Sequence, residues 1–331
     1  MAYQLSLAPF QGITNKNFRN IFTRYFPGYD TVYTPFISGV GNTKVNPSKF
    51  SDLLPIADNT VTTIPQFVST DALEVIEIAK HLKDYGYNHI NWNFGCPFSR
   101  IANKMRGCGI LPFPDIIKKL LDEIMPSLPL ELSIKTRLGY KSPDELFEVF
   151  SVFNQYPFKE IVIHPRIGTQ LYRGEVNLKS FAEILPISRH KVIYNGDIYH
   201  NQKLQELERE FPSINSWMVG RGALINPFLA AQIKDIYVSD FEKRERLNDF
   251  HSEIFNAYLQ QVSRKTVFLG TVKAIWYYMS GMFQNGEQFF DKIKVCKDID
   301  DYKKISQEML DQPFANNEQI ETYFKTSLKH I

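Results

Sequence analysis

Cys96 stands in the run Asn93-Phe94-Gly95-Cys96-Pro97, between a glycine and a proline that together set a tight turn. A thiol with an unperturbed pKa of ~8.5 is largely protonated at neutral pH and can serve as a general acid. The competing reading is a buried structural cysteine, the usual fate of the residue type. Lys135, in Ile134-Lys135-Thr136-Arg137, sits in an apolar, strand-like run where an ammonium is costly without an anionic partner. An electron-rich ring that gains negative charge on reduction, such as a flavin, is one such partner. Gln66 and Asn93 carry both donors and acceptors and suit the edge of a flavin or pyrimidine ring. His164, in His164-Pro165-Arg166, can bond the same ring or be a satisfied core histidine. Asn195-Gly196-Asp197 and Gly220-Arg221-Gly222 offer glycine backbone that phosphate oxygens can approach, with Arg221 adding charge. Plain turn glycines are the alternative for either run alone; the two together favour phosphate.

The elements that must position these groups follow an α/β rhythm, with short β-rich runs separated by helix-period segments. Strands are expected near Leu5–Ala8, Thr31–Pro35, Thr62–Phe67, His89–Asn93, Glu131–Thr136, Glu160–His164, Lys191–Asn195 and Trp217–Gly220. Helices are expected at Asp71–Leu82, with Thr70 as N-cap, and at Pro114–Ile124 and Ser142–Phe153. This pattern predicts an α/β fold, a (β/α)8 TIM barrel, with an open doubly wound sheet as its rival. In such a barrel the active site lies at the C-terminal ends of the strands, and seven of the eight expected strands end in a polar or glycine-rich group. Packing alone does not account for that. After Pro227 the strand pattern stops. Apolar residues then recur at helical spacing, including Leu247, Phe250, Ile254, Val272, Ile275 and Trp276. The expected division is a catalytic barrel over 1–235 and an all-helical domain over 236–331.

Composition sets looser bounds. The 331 residues are 44% apolar and 22% charged, as in an ordinary globular chain, and the net charge of +2 permits nucleic-acid binding without requiring it. Cys96, Cys108 and Cys296 form no C-x-x-C pair, so a disulfide framework or metal site is not expected and a reducing compartment is. Cys108 reads as structural. No signal-peptide pattern or run of ~20 apolar residues appears, which points to the cytoplasm and away from the membrane. Gly39-Val40-Gly41 lacks the third glycine of a dinucleotide turn, so no separate Rossmann-type nucleotide site is indicated.

Taken together, Leu7-Ala8-Pro9-Phe10-Gln11-Gly12-Ile13-Thr14, Asn93-Phe94-Gly95-Cys96-Pro97, Lys135-Thr136-Arg137, His164-Pro165-Arg166, Asn195-Gly196-Asp197 and Gly220-Arg221-Gly222 resemble the tRNA-dihydrouridine synthase family. The resemblance implies bound FMN, NADPH as transient reductant and reduction of a tRNA uridine. In it Cys96 protonates C5 of uracil while hydride reaches C6. It implies FMN contacts at Pro9, Gln66, Lys135, His164, Asn195, Gly196, Asp197, Gly220, Arg221 and Gly222. Asn93, Arg137, Arg166 and Tyr172 then form the uracil-binding set, and no obligate protein partner is indicated. Phe10, Pro35 and Ile167-Gly168 depart from the residues usual in the family, which bears on how the substrate sits. Basic and aromatic side chains of the helical domain, Arg264, Lys265, Lys273, Trp276 and Tyr277, can hold RNA by phosphate contact and stacking. Core packing is the competing reading of the two aromatics. The rival functions are a flavin-dependent reductase of a free pyrimidine or enone, a ribosomal-RNA dihydrouridine synthase, and an RNA-binding protein without turnover.

Overall fold

The alternation of apolar strands and amphipathic helices builds a parallel barrel in the computed structural model, which describes residues 3–41, 46–55, 61–262 and 264–326. Its strands are β1 (Gln4–Leu7), β2 (Thr31–Tyr33), β3 (Thr62–Ile64), β4 (Gln66–Phe67), β5 (His89–Phe94), β6 (Glu131–Gly139), β7 (Ile161–Ile167), β8 (Val192–Tyr194) and β9 (Ser216–Val219). Their order in the sheet is β3-β2-β1-β9-β8-β7-β6-β5-β4. The two ends of that order are halves of one expected strand, Thr62–Phe67, parted only by Pro65. Proline has no N–H to give the ladder, so the run breaks there. β3 pairs with β2 and β4 pairs with β5, so the split strand brings the ends of the sheet together. Nine strands among the described residues thus realise an eight-stranded plan, a TIM barrel.

Two compact units are distinguished by their internal packing. One comprises Met1–Asp30, Asp197–Glu210 and Val219–Ile331; the other comprises Thr31–Gly196 and Phe211–Met218. The second unit carries β2 to β8 and the helices between them. Its expected helix at Asp71–Leu82 runs from Ala72 to Asp84, capped by Asp71, whose side chain accepts from the Glu74 N–H, and not by Thr70. Pro114–Ile124 is helical as expected, with proline in the first turn, where its missing N–H costs nothing.

The first unit holds the helical region that the sequence placed after Pro227. The longest helix, Asp240–Gln261, opens with a capping box between Ser239 and Glu242. Helices Lys265–Met279, Gly286–Val295, Ile299–Leu310 and Asn317–Thr326 follow. Within this unit the Lys16–Tyr25 helix meets Asp240–Gln261 through an aromatic cluster, with Phe250 within 5.0 Å of Phe26 and 5.9 Å of Phe18. Arg24 and Tyr25 both bond Glu253 at its margin. No helix among the described residues is long and apolar enough to cross a membrane.

Candidate active site

In the larger strand-bearing unit, a two-residue side-chain period fixes which groups face the barrel interior. On β5 these are His89, Asn91 and Asn93; on β6 they are Ser133, Lys135 and Arg137. Register sets them side by side, with Asn91 opposite both Gln66 and Ser133, Asn93 opposite Lys135, and Arg137 opposite His164. Barrel interiors are usually filled by branched apolar side chains. Polar groups in their place are stable only if bonded to one another.

They are bonded. The Cys96 and Gly95 backbone N–H groups donate to Asn93 Oδ1 at 2.7 and 3.0 Å. Asn93 Nδ2 donates to Gln66 Oε1 at 2.7 Å, and Gln66 Nε2 donates to Asn91 Oδ1 at 2.8 Å. Asn91 Nδ2 donates to Ser133 Oγ, which lies 2.7 Å from His89 Nε2. Burial holds His89 down at about 4, so it is neutral at physiological pH and its Nε2 can accept from the serine. Both amides are thereby fixed in orientation. Asn93 spends its carbonyl on the Cys96 turn and Gln66 engages both ends of its amide. Sequence reasoning selected Asn93 and Gln66 but missed Asn91, Ser133 and His89 beneath them. The signal was present as His-x-Asn-x-Asn on one face of a buried strand.

Cys96 is 6% exposed, and burial raises its thiol pKa against partial opposition from a backbone hydrogen bond at Phe98 and the nearby Arg137. The thiol is therefore the protonated form at neutral pH. A second turn, Gly107-Cys108-Gly109, backs it. The Cys108 N–H and thiol both donate to the Cys96 carbonyl, at 3.1 and 3.3 Å. Burial pushes the Cys108 thiol up to about 12, so it remains a donor. The structural reading of Cys108 thus gains a definite content: it holds the turn that carries Cys96. Gly107 has φ of 56°, and a Cβ there would fall 2.5 Å from the Cys96 carbonyl oxygen. Gly107→Ala is accordingly expected to destabilise the fold by about 1–3 kcal/mol, read as a lowered unfolding midpoint. An unchanged midpoint would show that the two turns are not closely packed.

The Lys135 backbone belongs to the β6 ladder, and its ammonium makes no hydrogen bond or ion pair among the described residues. Burial, with the adjacent Arg137, lowers its pKa to about 7. Such a lysine suits an anionic or electron-rich partner. Arg137 is 2% exposed and its donors go to backbone: Nε to the Gly95 carbonyl at 3.0 Å, Nη1 to Ile167 and Leu171 at 3.0 and 2.7 Å. Its guanidinium carbon lies 5.4 Å from the Tyr172 ring centroid. Arg166 donates from Nη2 to the Gly174 carbonyl at 2.6 Å, and its Nη1 lies 3.2 Å from His164 Nε2. The Tyr172 ring is 6.1 Å from that of His164. Arg137, His164, Arg166 and Tyr172 therefore form one cluster, in which the arginines anchor the loop after β7. Leu171, with φ of 54°, is held there by its carbonyl bond to Arg137. Asn195 lies in the same unit and donates to the Met218 carbonyl at 2.8 Å. Gly196 follows it, and a Cβ there would meet Val176, Pro165 and Tyr194 at 3.1 to 3.3 Å.

The remaining candidates belong to the first unit. Pro9 is half-buried at the end of β1. Arg221 is 7% exposed and donates from Nη2 to Asp197 Oδ1 at 2.8 Å. Asp197 is thus a partner of the arginine, and its own carboxylate is poorly suited to meet a phosphate. At Gly222 a Cβ would fall 1.9 Å from the Ile198 carbonyl oxygen, so its missing side chain is required by packing.

Among the helical residues named for RNA, the structure favours packing for several. Trp276 is 2% exposed and donates to the Tyr302 hydroxyl at 2.8 Å. Lys273 donates to the carbonyls of Lys294 and Cys296, at the end of the Gly286–Val295 helix. Tyr277 packs on Tyr278 and Phe290. Lys265 is exposed and paired with Asp298 at 2.7 Å, and Arg264 is exposed. Lys292, Lys294, Lys297, Lys303 and Lys304 are exposed on the neighbouring helices and the link between them, and were not singled out from sequence.

A buried thiol, an interior amide chain and a half-buried lysine beside a buried arginine thus lie together on adjacent strands of the TIM barrel. The sequence model of the dihydrouridine synthase family (Dus) matches residues 6–318. The chain belongs to that family. Among similar proteins, tRNA-dihydrouridine synthase B of Pasteurella multocida is 28% identical over 303 residues, 86% of this chain and 87% of its own length. The tRNA-dihydrouridine(16) synthase of Haemophilus influenzae is 28% identical over 312 residues, covering 90% of this chain and 97% of its own.

Proposed function

We propose that this protein reduces uridine in tRNA to 5,6-dihydrouridine, with bound FMN and with NADPH as the external reductant. The family match across residues 6–318 carries the reading, and the relatives' names supply the substrate. The residues present fit a flavin. Lys135 is a half-buried lysine with no counter-charge among the described residues, and Arg221 is a buried guanidinium beside a glycine turn. In this reading Lys135 faces the flavin ring, with Gln66, His164 and Asn195 as further contacts, while Gly196, Gly220 and Arg221 serve the phosphate. When bound, the reduced flavin supplies hydride to C6 of the uracil ring.

The chain's own residues do the rest. Hydride addition builds enolate-like charge toward O4 of the base, and donors placed there lower the barrier. Asn93 Nδ2 retains a second hydrogen for that purpose beyond the one given to Gln66. Arg137, Arg166 and Tyr172 bound the space for the base. Cys96 gives its proton to C5, and its raised pKa keeps that proton in place until the reaction calls for it. The uridine must leave its stack to reach such a buried acid. Residues 1–235 form the catalytic part in this reading and 236–331 the RNA-holding part, with the exposed lysines meeting phosphate. A cytoplasmic site of action accords with the substrate.

The test is purified enzyme with NADPH and an unmodified tRNA transcript, compared with free uridine and with ribosomal RNA. Product in the tRNA alone is expected. Turnover of free uridine at a comparable rate would replace this reading with a small-molecule reductase.

A further inference from the structure

We propose that the helix Asn317–Thr326 is part of the cofactor site, with Phe324 as the positioning residue that fixes the plane of Arg221 for the flavin phosphate. The inference rests on the reading of Arg221 as the phosphate group's arginine.

A guanidinium recognises phosphate through a planar fork of N–H groups, so its orientation matters as much as its charge. Contacts to Asp197 and Phe324 bear on that orientation here. Asp197 takes Nη2 at 2.8 Å, which fixes rotation within the plane. The guanidinium carbon lies over the Phe324 ring, 4.2 Å from its centroid, and the ring face restricts how the plane can tilt. Both Arg221 and Phe324 are buried, at 7% and 5% exposure, so water does little to weaken the cation–ring contact. Because Asp197 already offsets much of the arginine's charge, affinity for phosphate depends on geometry more than on net attraction.

The helix is moored to the segment that supplies Asp197. Glu321 accepts from the Tyr199 hydroxyl at 2.9 Å and lies 3.6 Å from His200 Nε2. Tyr199 also packs on Phe324, with ring centroids 4.7 Å apart. One turn of helix thus holds the Asp197–His200 segment through Glu321 and the arginine through Phe324. Tyr323 ties the same turn to the Lys265–Met279 helix through the Tyr277 carbonyl, at 2.6 Å. Nothing in the chemistry of the proposed reaction requires a phenylalanine at 324; its placement is explained by the arginine beneath it.

The experiment titrates FMN and riboflavin, which differ only in the phosphate, into flavin-free full-length protein. Wild type, Arg221→Met and Phe324→Leu are compared, the leucine keeping apolar bulk while removing the ring face. Wild type is expected to prefer FMN, and R221M to lose the preference. F324L should weaken FMN by about tenfold while leaving riboflavin unchanged. An F324L preference equal to wild type, with R221M lacking it, would overturn the inference and leave the phosphate reading standing. Equal weakening of both flavins in F324L would make Phe324 a packing residue and overturn it as well. A wild type without FMN preference, or R221M retaining it, would remove the phosphate reading and this inference together.

Discussion

Cys96→Ala is expected to keep its flavin and to lose about 10²- to 10⁴-fold in the rate of single-turnover uridine reduction, the usual worth of a positioned general acid. The thiol is not near the top of the range of cysteine exposure but 6% exposed, and its turn is held from two sides. Asn93 fixes the N–H of residue 96, while the Cys108 N–H and thiol fix its carbonyl. Alanine preserves all of these backbone contacts, so folding and flavin content should change little. The pH dependence gives a second readout. An acid must be protonated to act, and burial raises the Cys96 pKa above its ordinary value. The wild-type rate should therefore persist to higher pH than a free cysteine would allow and fall only beyond the raised value. The residual rate of C96A should lack that limb. A C96A single-turnover rate equal to wild type would end the proton-donor role.

Lys135→Met is expected to weaken flavin retention by tenfold or more, seen as loss of yellow colour on gel filtration. A neutral side chain of similar length cannot answer the negative charge of a reduced flavin. The sign of the pH effect follows from the lysine's position near 7 in the ligand-free protein. Below that pH the ammonium is already charged and meets an anionic ring directly. Above it the lysine must take up a proton on binding, so affinity for reduced flavin should fall as pH rises from about 7 toward the ordinary lysine range. K135M should be flat over that window. Full flavin loading of K135M with unchanged affinity would remove the lysine from the cofactor site.

The strand rhythm and the polar strand ends were legible because they are local. A two-residue period and a glycine or polar residue at each strand end can be read without knowing neighbours. Lys135, Asn93 and Cys96 belong to this class, and the structure brings them to adjacent strands through the β5–β6 register. Other features depend on distant partners. The sequence suggested donors for a substrate at Arg137 and Arg166, whereas the structure shows much of their capacity spent on backbone carbonyls of neighbouring loops. Lys273 looked like a phosphate contact and caps a helix, while Trp276 takes the core-packing reading already open to it. The break at Pro65 was visible as a proline, but its consequence, two half-strands that meet opposite ends of the sheet order, depends on closure. Phe324 could not be found from spacing at all, because its significance is the guanidinium it covers.

A map of dihydrouridine in total RNA from cells with and without this gene tests the proposed function most directly. Loss of the modification at defined tRNA positions, restored by the wild-type gene and not by the C96A form, is the predicted result. Dihydrouridine undiminished in every RNA, in cells holding no second such enzyme, would contradict it.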